Sequence, residues 1–162
     1  IDDWERASEI GLGAVVWDAA LAFCDLVESC GHAGGKFWRD KAVLELGAGC
    51  GAAGLTLAAK GANVVLTDRA AVLPHLKANL ALNTRLAASV RLLDWNDVTS
   101  EDLIAPQQHA ACSKDAVPKC FDVVLGTDLV SVDPDRRTGQ GFFDALCHVL
   151  LEALNASPQL LV

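Results

Sequence analysis

Tyrosine and methionine are absent from this 162-residue sequence, aromatic residues make up only 6% of it, and 13 basic residues stand against 21 acidic ones. Each deficit excludes something. No run of Lys and Arg exists that could neutralise a row of phosphates, so nucleic acid is not an expected partner. The formal net charge of −8 suits a basic protein surface or a small molecule, and such a charge also keeps soluble proteins apart. Cys24, Cys30, Cys50, Cys112, Cys120 and Cys147 form no CxxC pair and sit mostly inside apolar runs. They read as reduced core thiols of a cytosolic or nuclear protein. No apolar stretch approaches the ~18 residues that span a bilayer, and no charged segment followed by an apolar one opens the chain, so no membrane partner is expected. With Ile1 at the start and no Met anywhere, the chain is expected to be a segment of a longer product.

What is present is apolar. Hydrophobic residues are 52% of the chain and charged ones 21%, enough for one core in one domain spanning 1–162. Asp18 can cap a helix over residues 19–30, whose apolar stripe runs through Leu21, Phe23, Leu26, Val27 and Cys30 and stops at Gly31. Residues 41–46, "KAVLEL", read as a buried strand followed by a glycine loop and a helix over 52–60. A second strand (63–67), a helix with Pro74 in its first turn (72–83), a third strand (89–93), a fourth (121–126), an apolar helix (141–154) and the start of a fifth strand (159–162) follow. Residues 96–119 read as a long surface connection. The alternation predicts an α/β fold: a doubly wound, Rossmann-like parallel sheet in a three-layer sandwich, truncated after strand five.

The stretch "LELGAGCGAAG" (44–54) carries the chemistry. Glycines between a buried strand and a helix let backbone approach a ligand and aim helix N–H groups at it. Gly47, Gly49 and Ala52 match a dinucleotide fingerprint, with Asp68 about the expected ~20 residues on, so an NAD-dependent oxidoreductase is one alternative. The other is S-adenosylmethionine. Its ribose also sits against an acid after strand two, but it has no pyrophosphate, and the acid at Glu45 ahead of Gly47, Gly49 and Gly51 would favour a cationic ligand and repel a pyrophosphate. The bland alternative is a tight turn with Glu45 as a strand end.

"GAVVWDAALAF", "AVLELGAGCGAAGLTLAAKGANVVLTD", "VLPHLKANLALN", "LLDWND" and "FDVVLGTDLV" together resemble successive blocks of the seven-β-strand, class I protein lysine methyltransferases of the methyltransferase-like family, from about Gly13 to Val130. That resemblance implies S-adenosylmethionine as cofactor and a protein substrate, a chaperone or a translation factor, in the cytoplasm or nucleus. It implies that Trp17 lies over the cofactor, against the alternative of a core Trp anchoring the first helix. It makes Gly47, Gly49 and Gly51 the loop around the methionine moiety and Asp68 the ribose ligand. Asp94 and Trp95 would read adenine, against the alternative of a strand-end turn and ordinary packing.

Asp128 would line the lysine channel and orient the incoming amine, as the catalytic acid of an Asp-x-x-Tyr block. Here "DLVS" keeps the acid and puts Ser131 in the tyrosine's place, so a cofactor-binding domain that has lost catalysis is a further alternative. Asn79 and Asn83 fit the family's helix pattern and are expected to bridge backbone. His32, His75, His109 and His148 form no pair at metal spacing, and no metal is expected.

Overall fold

The computed structural model describes residues 11–99, 102, 121–129 and 139–156. Strand β1, Ala42–Leu46, is buried along its whole length, as a central parallel strand covered on both faces must be. β2 (Asn63–Asp68) and β4 (Val123–Gly126) flank it, β3 (Ala88–Leu92) lies outside β2, and the order β3-β2-β1-β4 is parallel throughout. The chain steps outward from β1 to β3 and then crosses back to the other side of β1. That reversal opens a crevice beyond the C-terminal ends of β1 and β4, the place where sheets of this kind bind ligands.

Alternation along the strands divides the core in two. Val43, Val64 and Leu66 face α1 (Asp18–Ser29), α3 (Ala52–Ala59) and α4 (Leu73–Ala81), packing with Val27, Leu57 and Leu76. Leu44, Leu46, Val65 and Val124 face α5 (Gly139–Ala156) through Val149 and Ala153. Helices therefore cover both faces, and the expected three-layer α/β architecture is what forms. The fifth strand at 159–162 and most of the 96–119 connection lie outside the described residues.

Two local expectations are corrected. Gly31 adopts φ +54 and ends α1, as a stop glycine should, but a second helix, α2 (Gly31–Trp38), begins at once. Its end is fixed by an edge-to-face contact between Phe37 and Trp38 at 4.9 Å, with Lys41 Nζ over the Phe37 ring. Asp18 does not cap α1. Trp17 occupies the N-cap position, makes no side-chain cap bond, and leaves Asp18 in the first turn.

Candidate functional site

The C-terminal edge of the sheet gathers the expected site residues because all four strands end on the same side. Leu46 pairs with Gly126 and Asp68 with Leu92, so the glycine loop, the acid that ends β2, the Asp94–Trp95 pair and Asp128 come out along one rim. Gly47 and Gly49 adopt φ of +58 and +53, a region L side chains rarely occupy. Space closes on them as well. A Cβ on Gly47 would stand 2.8 Å from Leu129 Cδ2 and 3.5 Å from the Trp95 ring, and one on Gly49 would stand 3.2 Å from the Gly13 carbonyl oxygen.

Asp68 ties the rim together. Its Oδ2 accepts from the Gly49 amide at 2.8 Å and its Oδ1 from the Arg69 amide at 2.8 Å. A carboxylate has about four acceptor positions, so each oxygen keeps one for a further donor such as a ribose hydroxyl. The residues therefore fit a nucleoside: a half-buried acid with spare acceptor capacity, beside a loop whose Cβ positions are already closed by neighbours.

Glu45 is where the sequence reading needs correcting. It belongs to the face of β1 that packs on α3, is 2% exposed, and accepts from the Gly54 amide at 3.1 Å. Burial raises its pKa from 4.5 to about 8, offset in part by the Gly54 bond and reinforced by the charge of Asp68. Burial thus favours its protonated, uncharged form at neutral pH, and it lies under the loop, so it does not meet a cationic ligand by direct contact. The residue that the sequence reading missed is Gly54. A Cβ there would sit 2.2 Å from Glu45 Oε2 and 2.4 Å from Leu66 Cδ2, so Gly54 is what lets α3 lie close on the sheet. Its signal was present in the small residues of "AAG".

Trp17 is 43% exposed and its Nε1 donates to the Leu12 carbonyl at 3.1 Å, which rules out the core anchor as its setting. It stands at the end of a segment that begins with the 3-10 turn Gly11–Ala14, whose Gly13 packs on Val72 and over Gly49. Trp95 packs with Leu129 against the α5-side core while its ring edge borders Gly47. Asp94 Oδ1 accepts from both the amide and the side-chain nitrogen of Asn96, at 3.0 and 2.9 Å. Those two bonds hold its pKa below the usual carboxylate value, so the turn expected there is present and the exposed acid is charged.

Asp128 has φ +50, and its Oδ2 accepts from the Ala19 amide of α1 at 2.9 Å. Ser131 lies outside the described residues. Behind the loop, Cys50 Sγ is 3.5 Å from His75 Nε2, and Asn79 Nδ2 donates to the Cys50 carbonyl at 2.9 Å; Asn83 in turn donates to the Asn79 carbonyl. The two asparagines thus bridge backbone as expected. Among the described residues no group of three or more His, Cys, Asp or Glu side chains could hold a metal ion, and no helix is long and apolar enough to cross a membrane.

The chain is 34% identical over 142 residues to the "EEF1A lysine methyltransferase 3" of Mus musculus, covering 86% of this chain and 53% of that one. It is 36% identical over 135 residues to the "Protein N-lysine methyltransferase METTL21A" of Danio rerio, covering 81% of this chain and 52% of that one. It thus spans about half the length of the curated relatives it matches. Among solved structures, a putative O-methyltransferase from Klebsiella pneumoniae superposes with a TM-score of 0.52 at 15% identity, over 96% of this chain and 60% of the other, which is a likeness of fold. The family described as "Lysine methyltransferase" matches residues 1–162, and since that is the whole sequence, the chain belongs to the lysine methyltransferase family.

Proposed function

We propose that the protein transfers a methyl group from S-adenosylmethionine to a lysine side chain of a protein substrate. The observation that carries this reading is the Asp68 carboxylate, fastened to the Gly49 amide at 2.8 Å with acceptor positions to spare, in a chain that belongs to the lysine methyltransferase family. S-adenosylmethionine, when bound, supplies a methyl carbon already activated by the sulfonium. The protein's task is then alignment and shielding. Asp68 would hold the ribose hydroxyls, Gly47, Gly49 and Gly51 would admit the methionine moiety, Trp95 would wall the adenine and Asp94 would accept from its exocyclic amine. Trp17 would cover the cofactor from the N-terminal side.

The acceptor amine has a reference pKa of ~10.4 and must be neutral to attack. A desolvated channel lowers that pKa, and the proton leaves to solvent before transfer. Asp128 has one oxygen committed to Ala19, so its Oδ1 is the atom that would orient the amine. An Asp128→Ala variant that keeps full transfer activity would remove that role. The substrate is proposed to be a chaperone or a translation factor, in keeping with the "EEF1A" in one relative's name. The compartment is proposed to be the cytoplasm, with the nucleus also open to it. Cys24, Cys30, Cys50 and Cys147 are free thiols, as suits a reducing setting.

The test is calorimetric titration of the protein with S-adenosylmethionine and, separately, with NADH, followed by transfer of labelled methyl to protein lysine. Binding of the sulfonium alone, weakened by Asp68→Ala, supports the reading. Binding without any transfer would point to a domain that has lost catalysis, consistent with the absence of tyrosine. NADH binding alone would overturn the proposal.

A further inference from the structure

We infer that Asp128 is a positioning residue that fastens the N-terminal helix, and the segment leading into it, across the ligand crevice. The inference rests on the methyl-donor reading for what the crevice holds, but the fastening itself is read from geometry. The first amides of a helix have no partner inside it and need one from elsewhere. In α1 the N-cap residue is Trp17, which makes no side-chain cap bond and has no acceptor with which to make one. Asp128 supplies the acceptor from 109 residues away, its Oδ2 lying 2.9 Å from the Ala19 amide. Ala19 is the second residue of the helix, one of the two amides an N-cap side chain ordinarily serves. The carboxylate also sits at the positive end of the helix dipole.

Asp128 reaches this position through a left-handed backbone, φ +50, which Asp tolerates better than most residues. The opposite end of the segment is held independently. Gly13 lies against Val72 and over Gly49, Gly11 stands beside Arg69 Nη2, and Cys50 Sγ points at the Gly13 carbonyl from 3.7 Å. Residues 11–18 thus form a strap from the end of β2, over the glycine loop, to the end of β4. Trp17 hangs from this strap through its bond to Leu12. Asp128 therefore sets where Trp17 stands, and a loosened strap would uncover the same loop that Asp68 ties down.

The test separates acceptor geometry from charge. Asp128→Asn keeps an oxygen for the Ala19 amide and loses the charge; Asp128→Ala loses both. Two measurements on the full-length protein are needed: hydrogen exchange at the Ala19 amide without cofactor, and the dissociation constant of S-adenosylmethionine. A missing cap corresponds to about a fivefold change. The expected result is that Asp128→Ala speeds exchange by about that factor and weakens binding by up to it, while Asp128→Asn, which keeps the acceptor and loses only the charge at the helix dipole, moves both less. If Asn and Ala behave alike, or if neither moves the Ala19 amide, the inference falls. If the exchange pattern holds but the wild-type protein binds no S-adenosylmethionine, the fastening stands and the methyl-donor reading falls instead.

Discussion

Glu45 makes the stability of this fold depend on pH in a direction opposite to that of most carboxylates. Its pKa rises from 4.5 to about 8 because the side chain is buried under α3 beside Asp68, with the Gly54 amide only partly compensating. Between those two values the folded protein holds a proton that the unfolded chain has released, so unfolding releases it and rising pH favours unfolding. The contribution is complete below pH 4.5 and lost by about pH 8. At ~1.4 kcal/mol per pH unit, the change between pH 5 and pH 8 is about 4 kcal/mol, a large share of the ~5–15 kcal/mol typical of a domain. Glu45→Gln keeps an acceptor for Gly54 and cannot ionise. Urea denaturation of both proteins at pH 5, 6.5 and 8 isolates this group, because the other titrations cancel in the difference. The variant is expected to match the wild type at pH 5 and to exceed it by up to about 4 kcal/mol at pH 8. Parallel stability profiles would refute the assignment of a protonated Glu45.

Gly54→Ala replaces a poor helix former with the best one, which alone would stabilise an exposed helix by about 1 kcal/mol. Here the added Cβ meets Glu45 Oε2 at 2.2 Å and Leu66 at 2.4 Å, so chemical denaturation should show a loss of about 1–3 kcal/mol. Lys60→Ala breaks the 2.7 Å ion pair with Glu28, whose side chain is 62% exposed; denaturation midpoints should move by less than about 1 kcal/mol.

The strands, the glycine loop and the helices around them were legible because their signals are local. Largely apolar runs at 42–46 and 63–67 sit between glycines and polar turns, and the order of the elements implies a parallel sheet. The place of Asp68 at a strand end was legible for the same reason, though the strand runs one residue further than expected and includes it. The direction in which Glu45 points was not. Strand parity assigns a side chain to a face, but the face that carries the ligand and the face that carries α3 differ only once the helix is docked. The Asp128 to Ala19 bond joins residues 109 apart, and no local pattern encodes it. The same holds for the Cys50, His75 and Asn79 contacts behind the loop. Only the i, i+4 spacing of His75 and Asn79 on α4 could have hinted at them. The restart of helix at Gly31 was hidden because a stop glycine ends one helix without saying what begins next.

The burial of Glu45 also gives a way to recognise the charge of the ligand without knowing its identity. Burial is what chiefly favours the protonated form of Glu45 near pH 7, and the charge of Asp68 adds to it, so a change in the field around Asp68 is felt by Glu45. A cation bound at the Asp68 rim offsets that field and lowers the Glu45 pKa towards neutrality, and binding then releases a fraction of a proton. A pyrophosphate would strengthen the field, hold the proton more firmly and release none. Calorimetric titration with S-adenosylmethionine at pH 7.5, in buffers of differing ionisation enthalpy, measures this directly. The expected result is net proton release and an affinity that rises between pH 7 and 8, both abolished in Glu45→Gln. Release that persists unchanged in that variant would come from another group, and its absence from the wild type would mean that Glu45 does not sense the bound charge.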